Sequence, residues 1–127
     1  MRINKNLINK IHNEDCYKFL KKLPSNSIDL IVSSPPYNLG REYEMRQALQ
    51  LYLDNQKKVL EECCRVLKNS GSIFWQVGAY SEKGIFIPLD IPFFQILENL
   101  NMKPRNRIIW ARQHGLHARN KFSCRHE

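Results

Sequence analysis

Four consecutive residues, Ser34-Pro35-Pro36-Tyr37, put a hydroxyl, a main-chain carbonyl of fixed direction and an aromatic ring into one short loop. Such a set can bind a flat, amine-bearing ring: the Ser34 oxygen and the Pro35 carbonyl accept hydrogen bonds, and Tyr37 stacks on the face. Two prolines fix their own φ and push the residue before them out of the helical region, so Ser34 sits on stiff, extended backbone. The same pair of prolines argues against Ser34 as a hydrolase nucleophile, which needs a glycine-flanked elbow. A purely structural turn would also explain Pro-Pro after a strand.

The elements that must hold this loop are readable around it. Ile28-Asp29-Leu30-Ile31-Val32-Ser33 is short, apolar and rich in β-branched residues, which predicts a strand buried on both faces. In open α/β sheets ligands sit just beyond the carboxyl ends of strands, which is where Ser34 emerges. Upstream, Leu7, Ile8 and Ile11 predict a short first strand. Tyr17, Leu20 and Leu23 at helical spacing predict a helix ended by Pro24, with Asp15 placed to cap its start.

Downstream, Arg41 to Gln50 is charged and without period, which suits a mobile loop over a binding site. Tyr52, Val59, Leu60, Cys63, Val66 and Leu67 gather on one face of a helix over 51–67, which makes Cys63 and Cys64 core filler. Residues 72–77 predict another buried strand, 78–84 a loop, and Phe93, Ile96, Leu97 and Leu100 a helix starting near Asp90 or Pro92. Arg107-Ile108-Ile109-Trp110 predicts a fourth strand. Strands alternating with helices make the fold class α/β with a mainly parallel sheet.

Taken together, Ser34-Pro35-Pro36-Tyr37 after a hydrophobic strand, Asn13-Glu14-Asp15-Cys16 with Leu20, Leu23 and Pro24, Arg65-Val66-Leu67-Lys68 with Gly71, and Arg107-Ile108-Ile109-Trp110 resemble the permuted group of DNA amino-methyltransferases. These enzymes use S-adenosylmethionine to methylate the exocyclic amine of adenine or cytosine. The resemblance implies a Rossmann-like fold, a catalytic role for Ser34, Pro35, Pro36 and Tyr37, and cofactor contacts from Asp15 and Ser34. Serine at the first motif position leans the target toward cytosine. Methylation at a ring carbon of cytosine uses a cysteine that follows a proline, and none of the four cysteines here does.

One part of the family pattern is missing. The main cofactor turn, Phe-x-Gly-x-Gly, has no counterpart, because Gly40, Gly71, Gly78, Gly84 and Gly115 are never two apart. The expectation is therefore the N-terminal half of a methyltransferase domain over 1–111, followed over 112–127 by the start of a basic, DNA-facing segment. Such a half would have an open sheet edge, little activity alone, and its C-terminal half as a partner in trans. A restriction endonuclease is a further expected partner. A non-catalytic, nucleic-acid-binding remnant is the alternative, as is an RNA or protein-amide methyltransferase, whose motif is the Asn-Pro-Pro-Tyr variant.

Composition bounds these readings. The chain has 127 residues, 43% of them hydrophobic, enough for one ordinary domain with a core. Its net charge of +8 is concentrated late: Lys103, Arg105, Arg107, Arg112, Arg119, Lys121 and Arg125 follow one another with no acidic residue from 99 to 126. That end should attract phosphate, with Arg112, Arg119, Lys121 and Arg125 as the expected contacts to double-stranded DNA. A solvated basic surface or tail is the plainer explanation. Cysteine spacing fits no disulfide framework, and His114, His117, Cys124 and His126 match no trusted zinc pattern, so no metal is expected. No apolar run approaches a membrane span, and a cytoplasmic location is expected.

Overall fold

A computed structural model describes residues 3–111. After a 3-10 helix at Lys5–Leu7, the order is α1 (Cys16–Lys22), β1 (Ile28–Ser33), α2 (Leu49–Val66), β2 (Leu67–Trp75), β3 (Ala79–Glu82), β4 (Ile85–Pro88) and α3 (Asp90–Asn99). A helix joins the two parallel strands as the α/β reading requires, but β2, β3 and β4 follow one another with no helix between them. β1 and β2 are parallel neighbours joined through α2, and β3 and β4 form a separate antiparallel hairpin.

Local chemistry explains each boundary. The Asp15 carboxylate accepts the Lys18 amide at 2.9 Å and starts α1, while Lys21 and Lys22 face its negative end. Arg65 then ties the end of α1 to α2, its guanidinium donating to the Leu20 and Leu23 carbonyls at 2.9 and 3.0 Å. The Asn26 and Ser27 amides donate to the Arg65 and Val66 carbonyls, so β1 starts where α2 ends. This welds the two parallel strands at their first rung.

Gly71 makes that rung possible. A Cβ there would lie 2.9 Å from the Asp29 carbonyl and from the Leu67 side chain, at a register shift between Ile28 and Leu30. Neither backbone nor a buried leucine gives way cheaply, so Gly71→Ala is expected to cost about 1 to 3 kcal/mol. A thermal melt that stays unchanged would refute this.

The core lies beyond the carboxyl end of the parallel pair. Tyr52, Leu60, Val77, Tyr80, Leu89 and Phe93 form it, with Tyr37, Ile73 and Trp75 packed against it. Tyr52 meets Phe93 edge to face at 6.2 Å between ring centres. The motif loop thus rests on this cluster through Tyr37.

Four expectations are corrected. The first strand does not form: Asn4 caps a 3-10 turn, Asn9 takes φ +58°, and Ile11 is 100% exposed. A left-handed residue breaks the extended run, and the segment turns back on α1, where His12 stacks on Phe19 at 4.6 Å. The parallel unit is therefore β1-α2-β2, and Asp15 leaves no strand. β1 is not buried on both faces either, since Leu30 and Val32 are 55% and 70% exposed and align with Phe74 at 51%. Helices cover only the opposite face of this pair.

Residues 78–84 are not a loop. Lys83 (φ +48°) and Gly84 (φ +81°) form a two-residue turn whose twist suits a hairpin, and Tyr80 pairs with Ile87 on its core side. Finally, 107–110 forms no strand, and Ile108, Ile109 and Trp110 stay exposed. Among the described residues they lack a sheet neighbour, without which apolar β-branched residues gain nothing from extension.

Candidate functional site

β1 delivers Ser34 at its carboxyl end, exposed, with Tyr37 half-buried three residues on. Ser34 Oγ lies 3.2 Å from Tyr37 Oη. A serine that places its single proton on the tyrosine oxygen turns its lone pairs outward as acceptors. The Tyr52 hydroxyl donates to the Pro36 carbonyl at 2.7 Å, which fixes the loop to α2. Burial pushes the Tyr52 phenol well above its ordinary value, so it remains a donor at any ordinary pH.

Two grooves flank the motif and share Ser34, Pro35 and Pro36. One, about 380 Å³, runs between α1 and α2 and is mainly apolar, with Cys16, Phe19, Ile31, Val59, Cys63 and Trp75 in its walls. The other, about 330 Å³, is lined by Ser34, Pro35, Pro36, Tyr37 and Tyr43. The motif is a partition between two spaces.

Asp15 and Ser34, both expected at the cofactor, are differently placed. Ser34 lines the first groove; Asp15 does not, although its neighbour Cys16 does. One Asp15 oxygen is committed to capping α1. Arg112, Arg119, Lys121 and Arg125 lie outside the described residues, as do His114, His117, Cys124 and His126.

The stretch 41–48 is tied down where a mobile loop was expected. The Glu44 carboxylate accepts the Asn38 and Leu39 amides, both at 2.8 Å. The Asn38 side chain, 1% exposed, donates to the Gln47 carbonyl at 2.8 Å and accepts the Gln47 amide at 2.7 Å. Arg46 reaches across to the Ser81 carbonyl at 2.8 Å. Sequence reasoning did not mark Asn38, Tyr43, Glu44 or the Tyr52 hydroxyl. An asparagine next to a rigid motif was the available signal, because asparagine tolerates the left-handed conformation (φ +61°) that Asn38 adopts.

Cys63 is buried and its thiol is pushed up to about 12, chiefly by burial, whereas Cys16 is exposed. A thiolate nucleophile at Cys63 is thereby excluded near neutral pH. In the folded chain, iodoacetamide should alkylate Cys16 and spare Cys63, as read by peptide mass mapping. Equal labelling of the two would contradict the packing.

Several known proteins are similar to this chain. A family model described as DNA methylase (N6_N4_Mtase) covers residues 28–127. The type II methyltransferase M.BglII of Bacillus subtilis is 55% identical over 121 residues, 94% of this chain and 34% of its own length. M.HpaI of Haemophilus parainfluenzae, also a type II methyltransferase, is 35% identical over 113 residues, 87% of this chain and 34% of its own. The chain spans about a third of the length of these curated relatives. Among solved structures, TTHA0409 of Thermus thermophilus superposes with a TM-score of 0.73 at 23% identity, over 93% of this chain and 50% of that one, a likeness of fold. The same protein has been solved with S-adenosyl-L-methionine.

Proposed function

The chain belongs to the DNA methylase family, and we propose that it forms the catalytic-motif part of an enzyme that methylates the exocyclic amine of cytosine or adenine in double-stranded DNA, with S-adenosylmethionine as donor. One observation carries the reading: Ser34 stands exposed at the end of β1, on the ridge between two grooves, with Tyr37 beside it. Group transfer needs donor and acceptor to meet at one point, and only the motif faces both spaces.

The residues do the following. An exocyclic amine is a weak nucleophile because its lone pair is delocalised into the ring. Ser34 Oγ and the Pro35 carbonyl accept hydrogen bonds from the amine's N–H groups and favour a pyramidal nitrogen, while Tyr37 stacks on the base. Stacking is worth about 1 to 3 kcal/mol, comparable with the few kcal/mol needed to flip a base out of the duplex.

The cofactor supplies an electrophilic methyl group. The apolar walls of the larger groove suit the carbon-rich parts of such a molecule, and Ser34 with the Asp15-Cys16 end of α1 would hold one side of it. The glycine turn expected on the other side is absent from these 127 residues. The chain alone is therefore proposed to transfer little or no methyl, and to need a C-terminal part that carries that turn. Residues 112–127 would begin the DNA-facing segment, with Arg112, Arg119, Lys121 and Arg125 on phosphates. A role in cytoplasmic restriction-modification, beside an endonuclease, fits the type II relatives. Among the described residues no helix is long and apolar enough to cross a membrane.

Labelled S-adenosylmethionine and DNA test this directly. The chain should be nearly silent alone and gain transfer when a polypeptide carrying the cofactor turn is supplied in trans, and product digestion then names the base. Robust transfer by the pure chain would refute the need for a second part. Salt-sensitive DNA binding without transfer in any combination would leave only a binding remnant.

A further inference from the structure

Tyr43 is a large aromatic side chain, 76% exposed, that plays no part in the core. Its backbone is nonetheless held firmly. It occupies a turn closed by the Glu44 amide on the Arg41 carbonyl at 2.9 Å. The next side chain, Glu44, is anchored by the Asn38 and Leu39 amides, and four residues on, Gln47 is locked to buried Asn38 through both its amide and its carbonyl. A surface tyrosine without a ligand gains nothing from so many fixed bonds around it. Tyr43 is also the one residue outside the motif that lines the smaller groove, which it shares with Ser34, Pro35, Pro36 and Tyr37.

We propose that Tyr43 is the second aromatic wall of the nucleobase slot, so that an extrahelical amino-pyrimidine or amino-purine lies between the Tyr37 and Tyr43 rings while Ser34 and Pro35 take its amine. The inference rests on the methyltransferase reading above. Physically, one ring leaves the other face of the base in water and free to tilt. A second ring desolvates both faces and fixes the plane in which the amine meets its acceptors. Asn38 and Glu44 act as positioning residues that hold the second wall at its distance from the first.

The test uses the whole 127-residue chain and a single-stranded oligonucleotide carrying 5-iodocytosine, which needs no flipping and no recognition sequence. Near-ultraviolet irradiation joins the iodinated base to aromatic rings in contact with it, and peptide mass mapping locates the adducts. Adducts are expected on both Tyr37 and Tyr43. Tyr43→Ala should lower the yield at Tyr37 about tenfold, the size of one lost stacking contact, and Tyr43→Phe should keep it within about twofold. Adducts at Tyr37 with none at Tyr43, or an unchanged Tyr37 yield in Tyr43→Ala, would overturn the slot and leave the methyltransferase reading standing. Adducts at neither ring would overturn the slot together with the stacking role of Tyr37.

Discussion

Replacing Asn38 by leucine is expected to cost about 3 to 5 kcal/mol, although the substitution removes no apolar contact and keeps the side chain branched at the same carbon. The Asn38 amide satisfies the Gln47 carbonyl and the Gln47 amide together, at 2.8 and 2.7 Å, inside a part-buried loop. Leucine leaves a donor and an acceptor without partners, at about 1 to 3 kcal/mol each. It must also adopt the left-handed backbone of Asn38, φ +61°, for roughly another 1 kcal/mol or more. In a domain of this size such a loss lowers the melting temperature by more than about 10 °C. Should the leucine variant fail to fold, Glu44→Gln reports on the same clamp more gently. It turns one of the two carboxylate oxygens into an NH2 donor, so one of the Asn38 and Leu39 amides keeps a neutral acceptor and the other loses its own, and about 1 to 3 kcal/mol is expected to go. Melts of both variants that match the wild type would mean that the loop has other anchors.

That clamp also marks the limit of what the sequence discloses. The period of Tyr52, Leu60, Cys63 and Val66 predicts α2, and all four are buried. The abrupt change from β-branched residues to Ser-Pro-Pro predicts that the strand ends before Ser34, and β1 does end at Ser33. These signals are local, and local propensity decides them. The predicted strands at 7–11 and 107–110 failed for the opposite reason. Ile11, Ile108 and Ile109 have the side chains of a strand, but a strand is stabilised by its neighbours, and none pairs with them among the described residues. The exposed row of Leu30, Val32 and Phe74 repeats the lesson on a strand that does form. Composition announces that a face is to be buried and says nothing of what buries it. The Asn38 network escaped because its partners lie six to nine residues away through a loop without period, where only the folded geometry joins them.

Once the catalytic part is joined by its cofactor-bearing counterpart, Ser34→Ala is expected to lower methyl transfer by about 10²- to 10³-fold while leaving DNA affinity nearly unchanged. The oxygen removed is exposed and supports no core contact, so the loss falls on the step in which the amine changes shape. Tyr37→Ala should differ in kind. It deletes a stacking surface worth about 1 to 3 kcal/mol, so affinity for a base already unpaired falls about 5- to 150-fold, and transfer falls with it. Tyr37→Phe separates ring from hydroxyl. The ring still stacks, but Ser34 Oγ loses the hydroxyl 3.2 Å away that orients it. A decrease in kcat of roughly 2- to 10-fold with little change in KM is expected, the size of one modest hydrogen bond. The order Ser34→Ala below Tyr37→Phe in kcat, with Tyr37→Ala alone weakening base binding, follows from acceptors and plate acting as separate parts. If Ser34→Ala retains full kcat, the serine is a bystander, and the amine's protons must be received by main-chain carbonyls alone.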